Sequence, residues 1–208
     1  IRLFIEETGT RRPVYCVWNC PSETIGEVAP PRPRSEGEAL CVYFHGSINL
    51  DRVPLTLIEG AKRSGVPVLL RVVGYETVGS LGTIDRLRLA AEDAGPMVRM
   101  EFPGTFSSHD ELACQMDGFQ VGWMAYRSES QDLNLINLAG ASNKAFDYLS
   151  SGLALLVRRS PDWSGLFVAP GYARECDPDD PDSIAASIRW FYDNPAETAV
   201  MGRAGQQR

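Results

Sequence analysis

From residue 39 onward the chain alternates apolar runs with segments whose apolar residues recur every three or four positions. The runs at 39–44, 66–73, 98–102, 119–126 and 153–157 are short, and several close on glycine or polar residues. That is the pattern of strands buried on both faces. Between them, residues 51–64 carry Val53, Leu57, Ile58 and Ala61 on one helical face, with Pro54 tolerated in the first turn. Residues 83–94 repeat the pattern with Ile84, Leu87 and Ala91, and 182–193 with Ile184, Ile188 and Phe191. A short helix with an acidic start is expected at 108–116, and another helix from Pro195. Residues 166–169 and 174–176 read as weaker strand pieces, and 14–18 as a short strand. Five or six buried strands alternating with helices predict an α/β fold, a mostly parallel sheet covered on both faces.

The segment from Gly140 to Gly152 organises the prediction. It reads as a helix opening on small and polar residues, with Ser142 as a candidate N-cap and Gly152 as the left-handed residue past its end. Ala145, Phe146 and Leu149 share one face; Asn143 and Asp147 fall together on another, with Lys144 beside them. A helix start with free N–H groups, an amide and an ammonium favours an anion such as a phosphate. A carboxylate one turn deeper can accept hydrogen bonds from a ribose diol. The same face is equally at home as the solvated side of an ordinary amphipathic helix.

In parallel sheets, ligands sit at the carboxyl ends of the strands. Those ends carry His45-Gly46-Ser47, Gly74-Tyr75-Glu76, Gly104-Thr105 and Tyr126-Arg127. Gly46 and Ser47 can cradle a phosphate through backbone N–H groups, and either Arg52 or Arg71 can add a cation. His45 is placed to donate to a ligand, whereas His109 reads as a capping or surface residue. Asp177-Pro178-Asp179 has an Asp-x-Asp form found in some metal sites, but its setting is that of a helix-capping turn. Glu129 and Asp132 lie in a polar loop before the organising helix. Dinucleotide and Walker glycine patterns are absent.

Composition narrows the classes. The 208 residues suffice for one domain with additional chain, and 44% hydrophobic content can fill a core. The net charge of −7 argues against nucleic-acid binding through a broad basic face. The five cysteines, odd in number and without a Cys-x-x-Cys pair, make a zinc site improbable and favour a reduced, cytoplasmic setting. No membrane span and no signal peptide are expected. Residues 21–38 are rich in proline and charge, which places a linker there and a domain boundary near residue 36. The absence of an initiator methionine marks the chain as a piece of a longer protein in this reading.

Ser142-Asn143-Lys144-Ala145-Phe146-Asp147-Tyr148-Leu149-Ser150-Ser151-Gly152 resembles the S-x-K-x-x-E-Y-x-A-x-G segment of GT-B glycosyltransferases of the group 1, family-4-like class. Tyr43-Phe44-His45-Gly46 resembles the first strand and glycine turn of their donor domain. Phe102-Pro103-Gly104, Glu111-Leu112 and the stretch 121–126 resemble its middle, and 168–179 the segment before its last helices. Val17-Trp18-Asn19-Cys20-Pro21 resembles the stretch leading out of the acceptor domain. The resemblance implies a Rossmann-like half of a GT-B fold. Residues 1–35 would then be the end of the acceptor domain and linker, and 36–208 the nucleotide-sugar-binding domain. It implies a nucleoside-diphosphate sugar as donor, no metal, and a missing N-terminal acceptor domain, to which any attachment peripheral to the inner membrane would belong. By the same resemblance Asp147 matches a ribose-binding glutamate, one methylene shorter, and Lys144 and Gly46 match diphosphate contacts. The chain departs from the family at Ala139, where a glutamate is expected, and in keeping only Arg52 of an Arg/Lys pair. Those departures keep two alternatives open: a non-catalytic nucleotide-binding module and a sugar-nucleotide epimerase-like domain.

Overall fold

The computed structural model describes residues 2–15, 33–127 and 138–207. Six strands form one sheet: β1 (Leu40–Ile48), β2 (Val68–Glu76), β3 (Val98–Gly104), β4 (Val121–Met124), β5 (Ala154–Arg158) and β6 (Ala173–Cys176). Their spatial order is β3-β2-β1-β4-β5-β6, and every neighbouring pair is parallel. The helices are α1 (Arg2–Thr8), α2 (Leu55–Arg63), α3 (Thr83–Ala94), α4 (His109–Cys114), α5 (Asn143–Ser150), α6 (Pro161–Trp163), α7 (Pro181–Asp193) and α8 (Pro195–Gln206). This is the expected α/β, Rossmann-like architecture.

Strand β4 separates the two faces of the sheet. A Cβ placed on Gly122 would lie 2.2 Å from Tyr148 Cδ2, so Gly122 leaves room for α5 to approach. The next residue, Trp123, points the other way and donates its indole N–H to the Arg52 carbonyl at 2.7 Å, in the segment leading into α2. Helices α2, α3 and α7 pack together, while α5 and α8 pack on each other and on β5. Both faces are therefore covered, which is why the strands read as continuous apolar runs rather than alternating ones.

Several elements differ from the sequence reading. The first two strands run past their apolar segments, and Gly46 and Gly74 lie inside them, paired with each other in register. Both have positive φ, 125° and 139°, which only glycine adopts without strain. Helix α2 starts later than expected because Pro54, extended at ψ 155°, is its N-cap rather than part of its first turn. Residues 166–169, read as a strand piece, lie instead in and just past a π-helical turn (Ser164–Val168). It continues α6, whose start is fixed by Ser160 accepting from the Trp163 N–H, and it buries Phe167 against Trp163. Helix α1 was not anticipated, since nothing in residues 2–8 is periodic. The strand read at 14–18 and the stretch 17–21 fall largely or wholly outside the described residues, as do Cys16, Cys20, Glu129 and Asp132. Arg34, at the expected boundary, donates to the Tyr192 carbonyl at 2.7 Å and stacks over its ring, tying the chain before β1 to the end of α7.

Candidate ligand site at the switch point of the sheet

Strand order reverses at β1, which has β2 on one side and β4 on the other. The ladder to β2 runs the full length of β1, from Leu40↔Val68 to Ile48↔Glu76. The ladder to β4 holds only Val42↔Val121 and Tyr43↔Gly122. Beyond Tyr43 the two strands are no longer paired, and in folds of this kind the ligand crevice lies outside the carboxyl ends of the strands at such a point. The His45 N–H on that side has lost its strand partner. It donates instead to the Tyr148 hydroxyl of α5, at 2.9 Å. Helix α5 thus substitutes for β4 along the upper part of β1.

That substitution brings the sequence-predicted residues together. Lys144 lies across Gly46: a Cβ built there would sit 2.4 Å from Lys144 Cε and 3.0 Å from its Nζ. The bare backbone of Gly46 therefore makes room for the lysine. Asp147 Oδ2 is 3.4 Å from His45 Nε2, and both residues are buried. Asn143 is exposed at the first position of α5, and Ser142 holds the N-cap position without making a side-chain cap bond. The first N–H groups of the helix are thus left uncapped by that side chain. Gly152, at φ 77°, closes the helix as expected: the Leu153 and Gly152 N–H groups reach back to the carbonyls of Tyr148 and Leu149.

The electrostatics of the cluster are cationic toward the crevice. Burial and the neighbouring Arg52 push the Lys144 ammonium down to about 8, and Asp147 offsets this only in part. Arg52 Nε is itself buried without a hydrogen-bond partner. Burial also lowers His45 despite its contact with Asp147, and the Lys144 and His109 charges push in the same direction. His45 is then neutral near pH 7. Two cations held together, one stripped of water, form a site whose charge an anion would balance.

Other candidates sit elsewhere. Arg71 is engaged by Glu101 at 2.8 Å and lies over the Phe119 ring. Asp177 accepts from the Asp179 N–H, and Asp179 pairs with Arg127 at 2.8 Å, so the carboxylates of this turn are engaged within the protein. Among the described residues no group of three or more His, Cys, Asp or Glu side chains is arranged to hold a metal ion. Ser47 is half-buried beside Tyr75 at the end of the ladder. Sequence reasoning missed Tyr148 and Trp123, whose polar tips hold the site in shape. The available signals were a buried aromatic with a hydrogen-bonding handle and, for Tyr148, its place in the segment 142–152.

Trp123 is fully buried, and its indole holds the carbonyl of Arg52, so Trp123→Phe should leave that carbonyl unsatisfied. A stability loss of about 1–3 kcal/mol is expected in chemical denaturation. An unchanged midpoint would mean that the bond contributes nothing to the placement of Arg52.

No protein-family model matches the sequence, and neither does any curated protein. Solved structures do. The catalytic domain of cholesterol-α-glucosyltransferase from Helicobacter pylori aligns with a TM-score of 0.59 at 18% identity, over 82% of this chain and 96% of that one. The C-terminal domain of LpcC, a group 1 glycosyltransferase of Francisella tularensis, aligns at 0.64 and 16% identity, over 82% and 84%. Anabaena HepE, solved with UDP and glucose, aligns at 0.62 and 13% identity over 81% of this chain, which spans 43% of HepE. Among the described residues no helix is long and apolar enough to cross a membrane. The chain has the fold of the C-terminal domains of GT-B group 1 glycosyltransferases.

Proposed function

We propose that the chain is the donor-binding domain of a glycosyltransferase, which moves a sugar from a nucleoside-diphosphate sugar to an acceptor. The observation that carries this reading is Lys144 lying across Gly46 where β1 and β4 part, beside Arg52 and the start of α5. The fold neighbours add support, since HepE was solved with UDP and with UDP-glucose. In this reading the diphosphate lies over Gly46 and Ser47, between Lys144, Arg52 and the first turn of α5, with Asn143 at its edge. His45 and Asp147 brace the arrangement from beneath.

Sugar transfer leaves a nucleoside diphosphate, and negative charge grows on it as the glycosidic bond breaks. Fixed cations and backbone N–H groups aimed at that charge lower the barrier without reorganising. Protein cations supply the charge balance, so the reading calls for no metal. Acceptor recognition falls to an N-terminal domain, with residues 1–35 as its end and the linker, and 36–208 as the donor domain. The setting proposed is cytoplasmic.

Calorimetry of the chain with UDP, GDP and ADP tests the reading. Micromolar binding of one of them is expected, with no sugar transfer by the chain on its own. A folded chain that binds none of the three at millimolar concentration would rule the reading out and favour a non-catalytic module.

A further inference from the structure

In the donor reading His45 braces the site, but it is also an ionisable group beside the residues that would hold the diphosphate. It directly precedes Gly46, over which Lys144 lies, and its Nε2 is 3.4 Å from Asp147 Oδ2. Its ring sits edge-on to Tyr148 at 5.1 Å and to Tyr43 at 5.7 Å, and the Tyr148 hydroxyl takes its backbone N–H. The imidazole is therefore fixed in place, whatever its charge.

The charged groups around it can be counted. Helix α5 presents Asp147 and Lys144, and α4 presents His109 at its exposed start. The segment leading into α2 adds Arg52, whose charge acts on Lys144. Tyr43 and Tyr148 face His45 with hydroxyls that burial keeps protonated. Arg71 of β2, paired in register with Tyr43, is engaged by Glu101. The charge of Asp147 acts on both His45 and Lys144. In the unliganded chain a proton on His45 would thus set three cations, His45, Lys144 and Arg52, against one carboxylate. Its Nδ1 is also buried without a hydrogen-bond partner, which adds to the cost of charging the ring.

A nucleoside-diphosphate sugar reverses that balance. Both of its phosphates are esterified, so its two negative charges do not titrate near neutrality. Laid over Lys144 and Arg52, they offset both cations and leave the charge of Asp147 to balance a proton on His45. Resting on the donor-site reading above, we infer that the site binds its nucleoside-diphosphate sugar together with a proton, which His45 takes from solvent beside Asp147, so that donor affinity is coupled to pH below neutrality. Proton uptake on binding means that affinity rises as pH falls. Burial and the charges of Lys144 and His109 hold His45 below its ordinary 6.5 in the unliganded chain, so the rise falls on the acid side of neutrality, apart from the window of Lys144.

The test is calorimetry of the 208-residue chain with UDP-glucose, GDP-glucose and ADP-glucose. The sugar nucleotides are used because the terminal phosphate of a free nucleoside diphosphate itself titrates near pH 6, as other phosphate monoesters do, at about that value. For the one that binds, affinity should tighten about three- to tenfold from pH 7 to 5.5. In His45→Gln, which keeps a side-chain donor but cannot be charged, the affinity should be flat over that range. In His109→Gln the rise should remain. A flat profile in the unaltered chain overturns the inference, as does a rise that survives in His45→Gln or is lost in His109→Gln. Should His45→Gln fail to fold, proton NMR decides. The chain has two histidines, so His109→Gln leaves the His45 ring signal alone in the spectrum. Its titration midpoint should move up when the donor saturates the site, and a midpoint that stays or moves down overturns the inference. If none of the three sugar nucleotides binds at any pH, the donor-site reading itself fails and the inference falls with it. Binding without pH dependence overturns the inference alone.

Discussion

Lys144→Ala is expected to weaken nucleoside-diphosphate binding by about ten- to a hundredfold, the worth of one charge-assisted contact to phosphate. The lysine is the residue that the fold delivers to the crevice most directly, through the helix that replaces β4 along β1. Its protonation makes the assignment testable a second way. Burial and Arg52 lower the Lys144 ammonium from 10.5 to about 8. Diphosphate affinity should therefore fall as pH rises from 7 to 9, by about tenfold if only the ammonium form binds. Folding of the free chain carries the opposite sign. Between about 8 and 10.5 the unfolded state binds the proton and the folded state does not, so this residue makes stability rise with pH across that window. Both trends should vanish in Lys144→Ala. Affinity that is flat from pH 7 to 9 would take Lys144 out of the site. Gly46→Ala offers a companion variant: its methyl group would displace the flexible end of Lys144 and should weaken binding.

The largest effect on stability is expected at a glycine that binds nothing. A Cβ on Gly74 would lie 1.8 Å from the Gly46 carbonyl oxygen, and Gly74 has φ 139°. The obstructing atom is strand backbone, which cannot swing aside as a lysine can. Gly74→Ala should cost about 3–5 kcal/mol by combining backbone strain with forced separation of β1 and β2. That corresponds to a fall of roughly 10–15 °C in thermal midpoint for a domain of this size. Gly79 is the control, since a Cβ there meets nothing within 4 Å, and Gly79→Ala should change stability little. A Gly74→Ala midpoint within about two degrees of the unaltered chain would mean that the paired strands tolerate a gap at the rim.

These two glycines mark the limit of what the apolar pattern shows. The run at 39–44 ends before Gly46, yet the strand continues to Ile48, because backbone pairing with β2 carries the ladder across the half-buried Gly46 and Ser47 to the buried Ile48. Likewise, a helical reading places Asp147 with Asn143 on the polar face. The structure leaves Asn143 exposed and buries Asp147 against His45. Periodicity describes a single helix and cannot say that a second surface, the bare rim of β1, covers its side. The covered arc of α5 is wide because Leu149 packs toward Gly205 of α8 while Tyr148 and Asp147 turn to β1.

Local physics alone determined the strand–helix alternation, the Schellman end at Gly152, the buried faces of α2, α3 and α7, and the convergence of candidate ligands on strand ends. Each depends on neighbours a few residues away along the chain. Tertiary structure decided where β1 and β4 part, which hydroxyl inherits the stranded His45 N–H, and whether Asp147 meets a ligand or a histidine. Those outcomes depend on which backbone groups lose a partner once the sheet is assembled, and pairing between strands distant in sequence leaves no periodic trace in either one.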